Sequence, residues 1–388
     1  MIPLFKVFMS DSVGQSVNDV LYSGFIGQGQ KVEHFEDVLK QWLNNRRLVT
    51  TNSGTSALHL ALHLLKRPYT KVEFGALGYQ TWSGLESGDE VLCTPLTCTA
   101  TNFPVLANGL KIKWVDVDPK TLNMDLDDLE RKITKNTKFI LLVHWGGYPV
   151  DLDRVKTIQE KTKNLYGFKP VIIEDCAHSL GSTYKGEKLG NHGNIAMYSF
   201  QAIKHITSGD GGMLVLPHHD LYERAKLLRW YGIDRESNKK DFRCEDDIPE
   251  WGFKFHMNDI NATIGIENFK HQERLLSINR DNAKFYDDQF KDISGITLTE
   301  RKPDRESAFW IYSMLVDRKE DFMSKMKDCD IMVSQIHERN DIHSCVSEFK
   351  THLPNLDKIV PKLVSIPVGW WVSKNDREYI VDCIKEGW

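Results

Sequence analysis

The stretch Val171-Ile-Ile-Glu-Asp175 decides how this chain is interpreted, because a run of apolar, β-branched residues ends there in two carboxylates. Further along, Ala196-Met-Tyr-Ser-Phe200 has a similar apolar character and is followed by Gln201-Ala-Ile-Lys204. Short apolar runs of this length are typical of parallel strands that are buried on both faces. Asp175 and Lys204 are therefore predicted at or just beyond strand ends, where α/β proteins place functional side chains.

The same apolar pattern recurs on both sides of these two strands. Further strands are predicted at residues 91–94, 112–117, 139–143 and 212–215. Helices are predicted at residues 56–65, 126–133 and 152–160. In the last third of the chain, the pattern predicts a helix at 258–274 and strands near 296–299, 310–316 and 331–335. We therefore expect an α/β fold with a mixed, mostly parallel sheet flanked by helices.

Two segments interrupt this alternation and suggest how the domains are divided. Residues 67–87 are rich in Gly, aromatic and polar residues and are expected to form an insertion. Residues 234–250 are densely charged, which is typical of a solvated loop. We place the domain boundary at this loop, with a large domain over residues 1–250 and a smaller C-terminal α/β domain over residues 251–388.

The composition excludes several classes of function. Among the 388 residues, 41% are hydrophobic and 27% are charged, as in an ordinary globular protein. A net charge of -4 gives no basic field for nucleic acid, and no apolar run approaches the length of a membrane span, so we expect a cytoplasmic protein without either partner. The seven cysteines form no CxxC pair, which favours free thiols and no metal site.

Asp175 and Lys204 are two of the groups that pyridoxal 5'-phosphate (PLP) chemistry requires. A lysine amine holds the PLP aldehyde, and a carboxylate bonds the pyridine nitrogen. Lys204 precedes the Gly-rich turn Gly209-Asp-Gly-Gly212, where tight packing lets an amine lose solvent and titrate lower. Other interpretations stay open, since an Asp at a strand end can cap a helix or bind a metal or ribose, and most lysines are solvated surface charges.

Upstream, Thr51-Asn-Ser-Gly-Thr-Ser-Ala57 opens the helix predicted at 56–65. Backbone N–H groups and hydroxyls at a helix N-terminus form an anion site that suits the PLP phosphate. Ser199, at the end of its strand, can donate to the same phosphate. A helix that is simply well capped is the alternative.

Together these segments resemble the DegT/DnrJ-type sugar aminotransferases, a PLP-dependent family of fold type I that acts on nucleotide-linked keto-sugars. The likeness runs over nearly the whole chain. It includes Ser23-Gly-Phe-Ile-Gly-Gln-Gly29, Asn52-Ser-Gly-Thr-Ser-Ala-Leu58, Val115-Asp-Val-Asp-Pro119, Glu174-Asp175, Lys204 and Gly209-Asp-Gly-Gly212. The resemblance implies a homodimer with active sites at the subunit interface.

The resemblance also implies roles for single residues. Lys204 would form the Schiff base with PLP, Asp175 would bond the pyridine nitrogen, and His178 would lie near the ring hydroxyl. The other cofactor-binding residues that it implies are Gly54, Thr55, Ser56, Cys98, Ser199 and Lys254. The candidate substrate-binding residues are Phe25, His256, His337 and Arg339. For His337 and Arg339, an ordinary polar loop is an equally good interpretation.

Three positions depart from the family pattern. Within Gly252-Phe-Lys-Phe-His-Met257, Lys254 replaces the usual Asn that the neighbouring subunit lends to the phosphate, and His256 replaces the usual Arg. A lysine there would bind the phosphate by charge. Cys98 stands where the family has an aromatic residue over the pyridine face, and a thiol cannot stack.

The implied reaction transfers an amino group from L-glutamate to a nucleotide-linked keto-sugar. The sequences around Lys254 and Ile336-His-Glu-Arg-Asn-Asp341 resemble enzymes that make viosamine- or perosamine-type sugars, which favours a 4-keto-6-deoxyhexose. The nucleotide base is thymine or guanine, and of the two we favour dTDP over GDP. A 3-keto substrate is the alternative. A sugar dehydratase is disfavoured because such relatives carry His at the position of Lys204, and a PLP-binding regulator or an oxidoreductase would need motifs that we do not find.

Overall fold

The computed structural model describes residues 1–73, 79–236 and 247–388. Residues 74–78 of the expected insertion lie outside the described residues, as do residues 237–246 of the charged loop, with Cys244 among them. Within the described part of the chain, no helix is both long enough and apolar enough to cross a membrane.

Regular elements alternate along the whole chain. The helices are α1 (Val13–Leu21), α2 (Gln30–Leu43), α3 (Gly54–Leu64), α4 (Thr99–Ala107), α5 (Leu126–Lys132), α6 (Leu152–Tyr166), α7 (His219–Leu228), α8 (Asp259–Phe269), α9 (Gln272–Phe290), α10 (Lys319–Asp328), α11 (Pro354–Ile359) and α12 (Lys374–Lys385). The strands are β1 (Leu48–Thr51), β2 (Tyr69–Glu73), β3 (Tyr79–Trp82), β4 (Glu90–Cys93), β5 (Lys111–Trp114), β6 (Thr137–Val143), β7 (Val171–Asp175), β8 (Thr183–Tyr184), β9 (Glu187–Lys188), β10 (Ile195–Ser199), β11 (Gly212–Val215), β12 (Ile296–Leu298), β13 (Arg305–Glu306), β14 (Tyr312–Val316) and β15 (Leu363–Ile366).

The central sheet has seven strands in the order β1-β11-β10-β7-β6-β4-β5. The pairs from β10 through β7, β6 and β4 to β5 are all parallel, whereas β11 runs antiparallel to both β1 and β10. The prediction of a mixed, mostly parallel sheet is therefore confirmed. Because β7 and β10 are parallel neighbours, their carboxyl ends lie side by side.

Helices cover both faces of this sheet, as the apolar strands require. Leu141 of β6 packs in one hydrophobic cluster, while its neighbours Ile140 and Leu142 pack in another on the opposite face. Local capping fixes where the covering helices begin. The Asp125 carboxylate accepts hydrogen bonds from the first turn of α5, and the Asp151 carboxylate does the same for α6. The helices predicted at 126–133 and 152–160 are thus confirmed as α5 and α6.

A second sheet, in the order β12-β14-β15, lies in the C-terminal part of the chain with its own apolar cluster. The strands expected near 296–299 and 310–316 are found as β12 and β14, but the strand expected at 331–335 is wrong. Those residues form only isolated bridges, Ile331 with Ile2 and Ser334 with Ser365, and β15 takes the place beside β14. Helix α8, which follows the expected domain boundary near residue 250, packs against α1 and α2, which precede it. The position of the boundary stays a prediction.

Candidate active site

Two neighbouring strands bring the predicted acid and lysine to one edge of the central sheet. Asp175 is the last residue of β7 and pairs in parallel register with Met197 of β10. Lys204 follows β10 in a tight turn, in which the Lys204 N–H donates to the Gln201 carbonyl at 2.9 Å. The chain then returns as β11. The backbone segments that carry Asp175 and Lys204 are thus joined in one hydrogen-bonded sheet.

The Asp175 carboxylate is buried and held by two donors. Its Oδ1 accepts a hydrogen bond from the Ala177 N–H at 3.0 Å, and its Oδ2 accepts one from the Thr101 hydroxyl at 2.7 Å. Burial raises the pKa of Asp175, while these hydrogen bonds and the charge of Lys204 oppose that rise. A buried carboxylate of this kind is stabilised by a cation placed against it.

Thr101 is a residue of the site that the sequence analysis missed. Because its hydroxyl proton points to Asp175, the Thr97 hydroxyl donates to the Thr101 oxygen at 2.9 Å. Both side chains are buried, with Thr101 in the first turn of α4 and Thr97 just before the helix. The signal in the sequence was weak, since it consisted of two threonines four residues apart in the segment that follows a buried strand.

The amine of Lys204 lies in a partly buried environment beside an aromatic ring. Its Nζ is 3.6 Å from the ring centroid of Trp310. Burial lowers the pKa of Lys204 to about 8, although Asp175 and Cys98 act to raise it. An amine with this pKa is partly neutral near pH 7, as a nucleophile toward an aldehyde must be.

His178, Trp310 and His337 form an aromatic group around this lysine. The rings of His178 and Trp310 stack with centroids 4.0 Å apart and an interplanar angle of 21°. The His337 ring lies parallel to that of His178 at 5.9 Å. Burial lowers the pKa of His178 well below its usual value and that of His337 to about 4. Both rings are therefore neutral hydrogen-bonding groups, and Trp310 is a second residue that the sequence analysis did not identify.

The N-terminus of α3 faces the end of β10. A Cβ atom on Gly54 would lie 2.9 Å from Met197 Sδ and 3.1 Å from Ser199 Cβ, so only glycine permits this approach. The helix is capped by Ser53, whose hydroxyl oxygen accepts a hydrogen bond from the Ser56 N–H at 3.0 Å. Ser56 and Ser199 are partly buried, and Thr55 is exposed. This arrangement offers hydroxyls and a positive helix end to an anion.

The residues at this edge of the sheet fit PLP. Asp175 is a buried carboxylate suited to a pyridinium, and Lys204 is an amine suited to an aldehyde. The α3 N-terminus suits a phosphate. In addition, the buried Nδ1 of His178 has no hydrogen-bond partner among the described residues, which leaves it available to a ligand.

A buried chain of hydrogen bonds holds Glu174, the residue of β7 that precedes Asp175. The Val150 N–H donates to His144 Nδ1 at 3.0 Å, so the proton of the neutral ring is on Nε2, which donates to Glu174 at 2.9 Å. The other Glu174 oxygen accepts from Asn194 at 2.7 Å. His144, Glu174 and Cys176 lie close enough together to be considered as metal ligands. However, the hydrogen bonds described above already occupy both His144 nitrogens and both Glu174 oxygens.

The remaining predicted residues lie on other segments of the chain. Cys98 is the partly buried residue before α4 and lies near Lys204. Phe25 is 81% exposed in the loop between α1 and α2, and Lys254 is also exposed. His256 stacks on Trp230 at 3.6 Å, and burial lowers its pKa to about 4.

Arg339 is engaged within the chain. Its guanidinium forms a bidentate pair with Asp341, at 2.7 and 2.6 Å, and a further ion pair with Asp357. Asp341 is itself buried. His337 thus lies close to Lys204, whereas the Arg339 guanidinium is paired with the carboxylates of Asp341 and Asp357.

The fold and these residues define a PLP-dependent aminotransferase. The sequence pattern of the DegT/DnrJ/EryC1/StrS aminotransferase family matches residues 9–385, and the chain belongs to this family. It is therefore a sugar aminotransferase, and the family resemblance found in the sequence is confirmed.

Solved structures and curated relatives agree with this assignment. The chain is similar to AtS13 from Actinomadura melliaura, with 48% identity, a TM-score of 0.93, and coverage of 100% of this chain and 99% of that one. It is similar to the sugar aminotransferase CalS13 from Micromonospora echinospora, with 45% identity, a TM-score of 0.92 and full coverage of both chains (100% each). A UDP-4-amino-4,6-dideoxy-N-acetyl-beta-L-altrosamine transaminase from Campylobacter jejuni is 27% identical over 96% of this chain and 93% of its own length.

Proposed function

We propose that this enzyme transfers the amino group of L-glutamate to a dTDP-linked 4-keto-6-deoxyhexose, giving a 4-amino-4,6-dideoxyhexose nucleotide and 2-oxoglutarate. The observation that carries the proposal is the pairing of a partly buried Lys204, with its pKa lowered to about 8, and a buried carboxylate at the neighbouring strand end. This pair matches the amine and the counter-ion that PLP requires.

In this proposal the residues of the sheet edge bind the cofactor. Asp175 holds the pyridine nitrogen and keeps it protonated, and Thr101 orients the Asp175 carboxylate. Ser56 and Ser199 hold the phosphate at the start of α3, together with Thr55 and Gly54. When bound, PLP supplies an electron sink that stabilises negative charge on the substrate carbon.

Lys204 has two tasks. It would hold the cofactor through its amine until glutamate takes its place. The freed Lys204 amine would carry a proton from the amino-acid carbon to the cofactor's reactive carbon and, in the sugar half of the reaction, from that carbon to the sugar carbon that receives the amino group. A pKa near 8 suits both directions, because the amine can accept and release a proton close to neutral pH.

Two observations support the proposed substrate and where its sugar binds. His337 is a neutral imidazole 5.9 Å from His178, so it can donate to or accept from a sugar hydroxyl. The name of the Campylobacter relative gives it a 4-amino-4,6-dideoxy sugar, which agrees with amination at the sugar C4. We place the sugar between His337 and the lysine, with Phe25 and His256 nearer the nucleotide.

We also propose a homodimer with shared sites. Lys254 is exposed and has no ion-pair partner among the described residues, which suits a cation that reaches the PLP phosphate of a neighbouring subunit. Phe25 and Tyr22 expose more than four-fifths of their surfaces, at 81% and 84%. Large exposed aromatics close together are typical of a protein interface.

A panel of nucleotide keto-sugars tests this proposal. The purified enzyme with PLP and L-glutamate is offered dTDP- and GDP-linked 4-keto-6-deoxyhexoses and a dTDP-linked 3-keto-6-deoxyhexose. We expect 2-oxoglutarate to form fastest with the dTDP-linked 4-keto sugar, and NMR of the product to place nitrogen on C4. Faster turnover of the 3-keto sugar would assign the enzyme to the alternative substrate class.

A further inference from the structure

The indole of Trp310 covers the amine of Lys204, and several contacts fix its position. The Lys204 Nζ lies 3.6 Å from the ring centroid. The Trp310 Nε1–H donates to the Ile203 carbonyl at 2.8 Å, in the same turn that carries the lysine. The ring also stacks on His178 at 4.0 Å and on Phe5 at 5.1 Å. An indole held in this way has little freedom to move off the amine.

The backbone before Trp310 is held in a conformation that its side chain disfavours. Phe309 has φ +48°, in the left-handed region that bulky residues rarely adopt. Its N–H donates to the Ser307 hydroxyl at 3.1 Å, and its carbonyl accepts from the Asn279 side chain at 3.0 Å. Such local strain persists only where surrounding contacts impose it, and it is concentrated at functional sites.

Lys204 faces one buried carboxylate among the described residues. Asp175 raises the pKa of the lysine against the larger effect of burial, and Cys98 adds to that rise. In the proposed function, however, the Asp175 charge is engaged by the pyridine nitrogen of PLP. Another group must therefore stabilise the ammonium when the freed lysine carries a proton.

Apart from Cys98, the other titratable groups near Lys204 are histidines that cannot do so. His178, His205 and His337 face the lysine from three different segments, and burial lowers the pKa of each below its usual value. They are therefore neutral near pH 7 and contribute no negative charge. Trp310 is in direct contact with the amine, and the face of an indole attracts a cation most strongly where water is excluded.

We propose that Trp310 is a positioning residue for proton transfer, whose indole face holds the protonated amine of Lys204 whenever that amine is not bound to the cofactor. This inference rests on the proposed role of Lys204. It predicts that Trp310 stabilises the charged form of the amine relative to the neutral form. Loss of the aromatic face should then lower the pKa of the free amine.

The test measures how fast cofactor-free protein binds PLP as a function of pH, from the absorbance of the lysine-bound cofactor. Only the neutral amine reacts, so the rate rises with pH through the amine pKa, near 8 in the native protein. Trp310→Leu should move the midpoint down by about one pH unit, whereas Trp310→Phe, which keeps an aromatic face, should move it less. Trp388→Leu, an indole that contacts Phe322 instead, is the matched control.

Trp310→Met provides a second aliphatic variant if the leucine variant does not fold. An unchanged midpoint in the aliphatic variants would overturn the inference. So would a rise, since it would mean that Trp310 acts on Lys204 only by excluding water. If native protein shows no lysine-bound PLP at any pH, the proposed role of Lys204 fails first, and the two failures are thereby distinguished.

Discussion

The two sides of the active site are built in different ways. On the sheet side, Asp175 and Ser199 end neighbouring parallel strands, and backbone hydrogen bonds fix their positions. On the side of the second sheet, Trp310 and His337 each follow a residue with positive φ, Phe309 at +48° and Ile336 at +76°. The sheet side is thus set by regular structure, and the opposite side by side-chain contacts and local strain.

The two sides should therefore tolerate substitutions differently. Parallel strands of the central sheet are buried on both faces, so residues at their ends have few alternative positions. Residues after a strained turn depend on the contacts that hold the turn. We therefore expect changes on the sheet side to weaken PLP binding directly, and changes on the other side to alter protein stability or substrate choice.

The largest expected effect comes from the buried carboxylate. Asp175→Ala should weaken PLP binding roughly a thousandfold, corresponding to about 4 kcal/mol for removing one partner of a buried charge pair. Asp175→Asn keeps the shape and the Thr101 hydrogen bond but not the charge. Equilibrium dialysis of PLP checks the prediction, and binding by Asp175→Ala close to that of the native protein would refute a cofactor role for this residue.

On the opposite side, Arg339→Met should act mainly on stability. It leaves the buried Asp341 carboxylate without its guanidinium, so we expect the free energy of unfolding to fall by about 3 kcal/mol. The KM for the sugar nucleotide should change little in the protein that remains folded. Urea unfolding and kinetics separate the two effects, and the double variant Arg339→Met with Asp341→Asn should recover part of the lost stability. A large rise in KM without loss of stability would assign Arg339 to the substrate.

Thr101→Val tests whether the hydrogen bond from Thr101 to the Asp175 carboxylate contributes to PLP binding. It removes one hydrogen bond to the Asp175 carboxylate while keeping the side-chain shape. We expect PLP to bind about tenfold more weakly, from the roughly 1.5 kcal/mol of a hydrogen bond to a charged group. Thr101→Ser retains the hydroxyl and should bind PLP as the native protein does. Equal binding by the valine variant would show that Thr101 only packs.

The smallest effect is expected at the start of α3. Gly54→Ala places a methyl group 2.9 Å from Met197 Sδ, so the helix must move away from β10, at a cost of about 1 kcal/mol in stability. Binding of PLP should weaken slightly because the phosphate site widens. Gly14→Ala is a matched control, since a Cβ there meets no atom within 4 Å. Thermal unfolding that is the same for both variants would contradict the tight approach.

The sequence was sufficient for the sheet side because its signals are local. The strand that ends at Asp175 and the strand before Lys204 were both visible as apolar runs, and the glycines around them mark close approach. Thr101 was missed although its spacing from Thr97 was visible, since a buried hydroxyl has no distinctive pattern until its partner is known.

The other side could not be predicted in the same way. Trp310 was interpreted only as part of a strand, because its contact with Lys204 joins distant parts of the chain. The strand expected at 331–335 was wrong, since those residues pair at single positions with Ile2 and Ser365. Arg339 stays a candidate substrate ligand, and its ion pair with Asp357, 18 residues further along the chain, is not visible in the sequence. Such pairings depend on tertiary structure that local patterns do not contain.

The most direct test of the central claim is the absorbance spectrum of the purified enzyme with PLP, before and after addition of L-glutamate, with Lys204→Ala alongside. We expect the native protein to show the visible absorbance band of lysine-bound PLP, to see glutamate shift that band to shorter wavelength, and to find no such band in the variant. A variant that keeps the band and the glutamate response would contradict the assignment of Lys204 and place the reactive amine elsewhere in the chain.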